Sequence, residues 1–331
     1  MTQPRPTPET KRRNEKHFLV GEDLFVETPH FAGGIRLTGS STAGHAEAGE
    51  ILESHLAADD EQQLFRFGRM FRHPAIPEYR PDPDDLIALG LAMKGEVNPE
   101  LNKNLPAGYT ALGQFIDHDI TFDATEGLSV TTLEPEQIQS KRSPSLDLDS
   151  LYGLPPLAEV IQTDIGSHVY EPAGVNLAFG QTVIDPFVVP KVNNRFPNDL
   201  PRGGNPAHPT MAMIIDPRNE ENVAIAQTHL AFIKFHNAVV NYLSATGVSV
   251  QNLLDKARET VVQHYQWIVL NDYLPRIIET DVLNEVINNG CQHFVLEPGE
   301  EPYMPVEFSV AAFRLGHAMV TETYAWNRYF Q

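Results

Sequence analysis

The sequence predicts a mainly α-helical domain with long loops and few short strands. Three observations carry that reading. Apolar residues recur at helical spacing in separate stretches, Leu112, Phe115, Ile116 and Ile120 in one and Ile225, Leu230, Ile233, Val240 and Leu243 in another. Between these stretches, residues 154–209 are crowded with Pro, Gly and Asn, a loop composition. A chain of 331 residues, 41% of them hydrophobic, can also bury one large core or two smaller ones.

Taken in order, residues 1–61 are polar, with a linker-like run from Gly39 to Gly44, and read as an irregular arm. The domain is expected over 62–331. Its first apolar segment is 64–71, followed by a proline-rich path that forbids helix. Asp84 and Asp85 can then cap a helix over 86–93. The stretch 111–123 predicts a short buried helix. A strand over 183–192 would be confined to a sheet edge by its two prolines. Acidic residues in 216–222 lead into a long helix over 223–243. Residues 261–278 read as a dense apolar helix, 287–305 as a connection, and 306–320 as a last helix.

Composition excludes some functions. The balance of 24 Lys+Arg against 44 Asp+Glu gives a net charge of −20, which repels phosphate backbones, so no nucleic-acid partner is expected. The single Cys291 allows no intrachain disulfide. No apolar run reaches membrane-spanning length and residues 1–13 lack a signal-peptide pattern, so a cytoplasmic protein is expected.

The chemistry concentrates in Gln114-Phe-Ile-Asp117-His118-Asp119. Charged groups are buried only when paired, hydrogen-bonded or bound to a cation. On a helix, Gln114 and His118 share a face while Asp117 and Asp119 point to different sides. Alone, such a triplet is more often a structural histidine held by acidic neighbours. Downstream, Ser143, Ser145, Asp147 and Asp149 alternate along a loop, a spacing that turns oxygens to one side, as Ca²⁺ requires. An ordinary solvated acidic loop explains the same pattern. His229 and His236, seven apart without a third ligand, read as core histidines.

In order along the chain, Gly-Gln-x-x-Asp-His-Asp, Asp147…Tyr152-Gly153, Asp216-x-Arg218-x-x-Glu221 before His229…His236-Asn237, and Arg314-x-Gly-His317 resemble the animal-type haem peroxidases. This is the family of myeloperoxidase and lactoperoxidase, in a superfamily that extends to the cyclooxygenases. The resemblance implies a peroxidase that reduces hydrogen peroxide and oxidises small organic donors or halides through a ferryl intermediate on haem b. It implies His118, Arg218 and Gln114 as catalytic residues and His317 as the axial ligand of the haem iron. Asp117 and Glu221 match positions that form haem esters, and Ca²⁺ would be held by Asp119, Ser143, Ser145 (through its carbonyl), Asp147 and Asp149. Asp149 departs from the family's usual Ser, and Ile215 stands where the family has Gly. Family domains continue well past the equivalent of Gln331. A fragment, a subunit completed by a second chain and a naturally short relative therefore all remain open. A fatty-acid dioxygenase of the same superfamily, a non-catalytic haem-binding remnant and a calcium-binding helical module are the rival readings.

Overall fold

The computed structural model describes residues 16–19, 25–28, 64–71, 81–93, 105–124, 134–183, 195–203, 210–320 and 324. Among these, helices dominate and strands are few and short. Five longer helices carry the architecture: α1 (Pro83–Met93), α2 (Gly108–Ile120), α3 (Val223–Ala245), α4 (Val250–Ile268) and α5 (Thr280–Asn289). The seven strands are β1 (Lys16–Leu19), β2 (Phe25–Thr28), β3 (Phe65–Gly68), β4 (Gln139–Ser140), β5 (Gly180–Val183), β6 (Arg195–Asp199) and β7 (Met304–Pro305).

The core lies where α2 meets α3 and α4. Phe115 on α2 stacks on Phe232 of α3 at 4.8 Å, and the Tyr265 ring of α4 stands edge-on to both. Offset and edge-on aromatic contacts of this kind add to the gain from burying the rings themselves. Close approach also needs Gly113, because a Cβ there would collide with the Tyr273 hydroxyl. The helix α3 starts where Asn222 accepts a hydrogen bond from Ile225 N at 3.0 Å. It reverses into α4 through Gly247, at φ +92°.

β3 ties distant parts of the chain together. It pairs antiparallel with β4 (Phe65 opposite Ser140) and parallel with β7 (Phe67 opposite Met304). Glu307 then accepts from Met70 N at 2.8 Å, so the segment leading to His317 is anchored beside β3.

Several expectations change. The expected irregular arm contains a two-stranded pairing, β1 with β2. The expected strand over 183–192 falls mostly outside the described residues; the strand present is β5, which ends at Val183 and pairs with β6. The helix expected over 261–278 begins at Val250, because Leu253 and Ala257 continue its buried stripe among charged residues. It widens into a π-turn, Val269–Tyr273, directly before Pro275, which has no N–H to continue the ladder. The helix expected over 306–320 is a π-turn, Phe308–Ala312, followed by a 3₁₀ turn, Phe313–Met319. Ser309 is the one buried residue of these two turns, so little packing enforces α geometry there. The apolar Leu86, Ile87, Leu89 and Leu91 of α1 remain exposed.

Candidate active site

The polar residues Gln114, Asp117, His118 and Asp119 of α2 divide as helical spacing requires. Asp119 faces the 143–152 loop, accepting from Ser150 Oγ at 2.9 Å and from Leu148 N at 3.3 Å. Asp117 faces the other way and accepts from Arg314 Nη1 at 2.9 Å. Burial pushes the Asp117 carboxyl up, against the opposing pull of Arg314, Arg218 and His317.

Gln114 and His118 share the third direction. Gln114 Nε2 donates to Glu221 Oε2 at 3.0 Å, and Asn222 Nδ2 donates to Gln114 Oε1 at 3.1 Å. His118 Nε2 lies 4.0 Å from the same Glu221 oxygen, too far for a hydrogen bond. Its Nδ1 meets Asn219 Oδ1 at 2.9 Å. Burial, reinforced by Arg218, lowers the His118 pKa to about 3, so the imidazole is neutral at physiological pH.

Arg218 lies close behind this group. Its Nη2 donates to the His118 and Thr121 carbonyls at 2.9 and 2.7 Å and to Asp216 Oδ2 at 2.8 Å, and its Nε donates to Asp216 Oδ1 at 3.0 Å. A cation on the last carbonyls of a helix satisfies them and opposes the negative end of the dipole. The guanidinium also covers the Phe122 ring, 4.2 Å from its centroid. Asp216 takes a second guanidinium, from Arg142 Nε at 2.9 Å. Burial alone would raise the Asp216 carboxyl; Arg218 and Arg142 outweigh it and hold it well below the usual carboxylate range.

A second cluster lies behind α2. One carboxylate oxygen each from Asp119, Asp147 and Asp149 falls within 4.8 Å of the others. Asp149 is fully buried rather than facing solvent. Its Oδ2 accepts from Ser143 N at 2.8 Å, while Oδ1 has no hydrogen-bond partner, with Arg142 Nε 3.5 Å away. Ser143 Oγ donates to Asp147 Oδ2 at 2.9 Å, and Ser145 is exposed. Burial pushes Asp119 up to about 7, with the Asp147 charge adding to it, and burial likewise raises Asp149 well above its ordinary value. Three converging carboxylates, two of them fully buried, suit a hard cation.

His317 is half-buried on the 3₁₀ turn, which Thr110 Oγ1 ties to α2 by donating to Met319 O at 3.2 Å. Partial burial and the nearby Arg314 lower the His317 pKa, against the opposing Asp117, and leave a neutral ring able to ligate a metal. Of the core histidines, His236 is engaged at both ring nitrogens and His229 at Nδ1. His236 lies between the Tyr152 hydroxyl (3.0 Å) and the Val175 carbonyl (2.8 Å), and His229 Nδ1 meets Asn219 Nδ2 at 3.0 Å. Nothing in the sequence points to Arg142 or to the ion pair of Arg314, and Asn219 carries one signal, a polar side chain between Arg218 and Glu221.

Residues 185–329 match the family model described as animal haem peroxidase. The matched stretch contains Arg218, Glu221, His229 and His317 and begins after α2 and the Asp147–Asp149 loop. Over 107 residues the chain is 30% identical to thyroid peroxidase of Canis lupus familiaris, covering 32% of this chain and 11% of that one. It is 26% identical over 136 residues to dual oxidase of Drosophila melanogaster, covering 37% and 8%. A peroxidase-like protein of Margaritifera margaritifera is 29% identical over 109 residues, covering 32% and 14%. The chain thus spans about a tenth of the length of these curated relatives.

Proposed function

We propose, from the premise that residues 185–329 belong to the animal haem peroxidase family, that the chain takes part in haem-dependent reduction of hydrogen peroxide coupled to oxidation of a small donor. One observation carries the reading. His118 is buried and neutral, its Nδ1 is occupied by Asn219, and its Nε2 lies 4.0 Å from Glu221 Oε2, beyond hydrogen-bond reach. That is the form a general base needs.

The donor set fits haem. His317 offers a neutral ring nitrogen to the iron, and Asp117 and Glu221 are the carboxylates that would esterify the macrocycle. Ligand pockets generally measure about 300–1,000 Å³; the cavity of about 70 Å³ lined by Phe67, Thr121, Ser309 and Arg314 is smaller than that and is lined by none of His118, Gln114, Glu221 and His317, so the haem reading rests on the donor residues and not on that cavity. When bound, haem supplies the iron that receives peroxide and passes its oxidising equivalents to the donor.

The chain's own residues move the proton. His118 Nε2 accepts it from one peroxide oxygen and returns it to the other, which leaves as water when the O–O bond breaks, the two electrons for this cleavage coming from bound haem. Gln114, with its amide oriented by Glu221 and Asn222, positions the peroxide by hydrogen bonding. Arg218 acts through its positive field beside His118, since the bonds described for it run to Asp216 and to backbone carbonyls. A cation on Asp119, Asp147 and Asp149 would fix the end of α2 that carries His118. Ser143 and Ser145 would complete its shell by hydroxyl and carbonyl.

The test is His118→Ala in the haem-loaded chain. The rate of peroxide-dependent oxidation of a phenolic donor should fall roughly 10²–10⁴-fold with haem binding retained. A rate within twofold of the parent would remove His118 from the reaction.

A further inference from the structure

We infer that Asn219 is a positioning residue that fixes the tautomer of His118 by bridging it to His229. This rests on the peroxidase reading only where it concerns rate. Asn219 is fully buried on the 3₁₀ turn Pro217–Glu220, with its own N–H held by Asp216 O at 3.0 Å. The two ends of its carboxamide meet two buried imidazoles, Oδ1 at His118 Nδ1 (2.9 Å) and Nδ2 at His229 Nδ1 (3.0 Å).

A carboxamide oxygen only accepts and its nitrogen only donates. His118 must therefore carry its proton on Nδ1, and His229 must leave Nδ1 bare and carry its proton on Nε2. Both rings are buried, and Glu221 Oε2 stands 4.0 Å from His118 Nε2, beyond hydrogen-bond reach, so each ring is neutral and has one proton to place. The consequence falls on the far side of His118, where Nε2, 4.0 Å from Glu221 Oε2, keeps its lone pair. With the opposite tautomer, His118 would present an N–H to peroxide and could not take its proton.

His229 anchors this arrangement. Its ring packs edge-on against Phe115, at 6.0 Å between centroids, inside the aromatic core. The core thus reads through one amide to the reacting nitrogen. Ordinary structural asparagines satisfy buried groups without dictating the proton position on a third group.

Nitrogen NMR of the full chain labelled with ¹⁵N-histidine, without haem and near pH 7.5, reads the two tautomers. Signals are assigned by comparison with His118→Gln and His229→Gln. The parent should show His118 protonated on Nδ1 and His229 on Nε2; the reverse pair would overturn the inference. In Asn219→Asp the carboxylate cannot donate, so His229 should move its proton to Nδ1 while His118 keeps its own there. In Asn219→Leu the constraint is gone, and His118 should shift towards the Nε2–H form. The haem-loaded Asn219→Leu protein should then react with peroxide at least about tenfold more slowly with unchanged haem affinity. If that variant does not fold, the Asn219→Asp pattern decides, and an unchanged His229 there counts against the inference. Because the tautomers are read without haem, an inactive parent with the expected signals would defeat the peroxidase reading and leave the role of Asn219 standing.

Discussion

Asp216→Ala should be among the most destabilising single substitutions in the chain, at about 3–5 kcal/mol, the usual cost of stranding buried charge. The carboxylate is fully buried and accepts from Arg142 Nε, Arg218 Nε, Arg218 Nη2 and the Arg218 backbone N–H, all between 2.8 and 3.0 Å. Its removal leaves two guanidiniums together in the interior. It also frees Arg218, which holds the last carbonyls of α2, and Arg142, which lies beside Asp149. The folded-state pKa of Asp216 is depressed, so its contribution is complete above the unfolded value near 4 and is lost as pH falls below it. Urea titrations at pH 7 and pH 2 measure both points. The gap between parent and variant should be several kcal/mol at pH 7 and narrow as the pH drops. A gap below 1 kcal/mol at pH 7 would mean that the paired guanidiniums find other partners.

Calcium should stabilise the chelator-washed protein, and by more as the pH rises. Burial and mutual repulsion raise the folded-state pKa of Asp119 to about 7 and that of Asp149 well above its ordinary value. Without a cation the folded protein retains protons that the unfolded chain has already lost. Stability from these carboxylates is therefore full below about pH 4 and drains away as pH rises through about 7. A divalent cation replaces those protons. Its effect should be slight at pH 5, where protons compete, and large at pH 8. With Ca²⁺ at a hundred times its dissociation constant the gain is about 2.7 kcal/mol, several degrees in Tm. Thermal scans at pH 5 and pH 8, with and without Ca²⁺, measure it. Identical Tm values at pH 8 would argue against a cation on Asp119, Asp147 and Asp149.

Much of this framework is legible in the sequence, for a physical reason. Helical periodicity reports burial, so the stripe of α3 and the apolar face of α2 announce themselves. The i, i+4 spacing of Gln114 and His118 then puts both side chains toward Glu221. The separate directions of Asp117 and Asp119 follow from the same geometry. Partners distant in sequence are not legible. Asn219 reaches His118 across 101 positions, Arg142 reaches Asp216 across 74, and Arg314 reaches Asp117 across 197. Arg218 is the instructive case. Its type and spacing suggest a side chain aimed at substrate, yet Asp216, two residues away, competes for it. The last turns mislead differently, because the apolar residues near His317 look like a packed face while Val310 and Leu315 stay exposed.

Haem binding through His317 is the step of the proposed function on which the others depend. A haemin titration followed by absorption spectroscopy, with the parent beside His317→Ala, addresses it most directly. The parent should bind saturably and one-to-one, with a Soret band that His317→Ala shifts or weakens. Absent or non-saturable binding by the parent, or an identical spectrum and affinity in the variant, would contradict it.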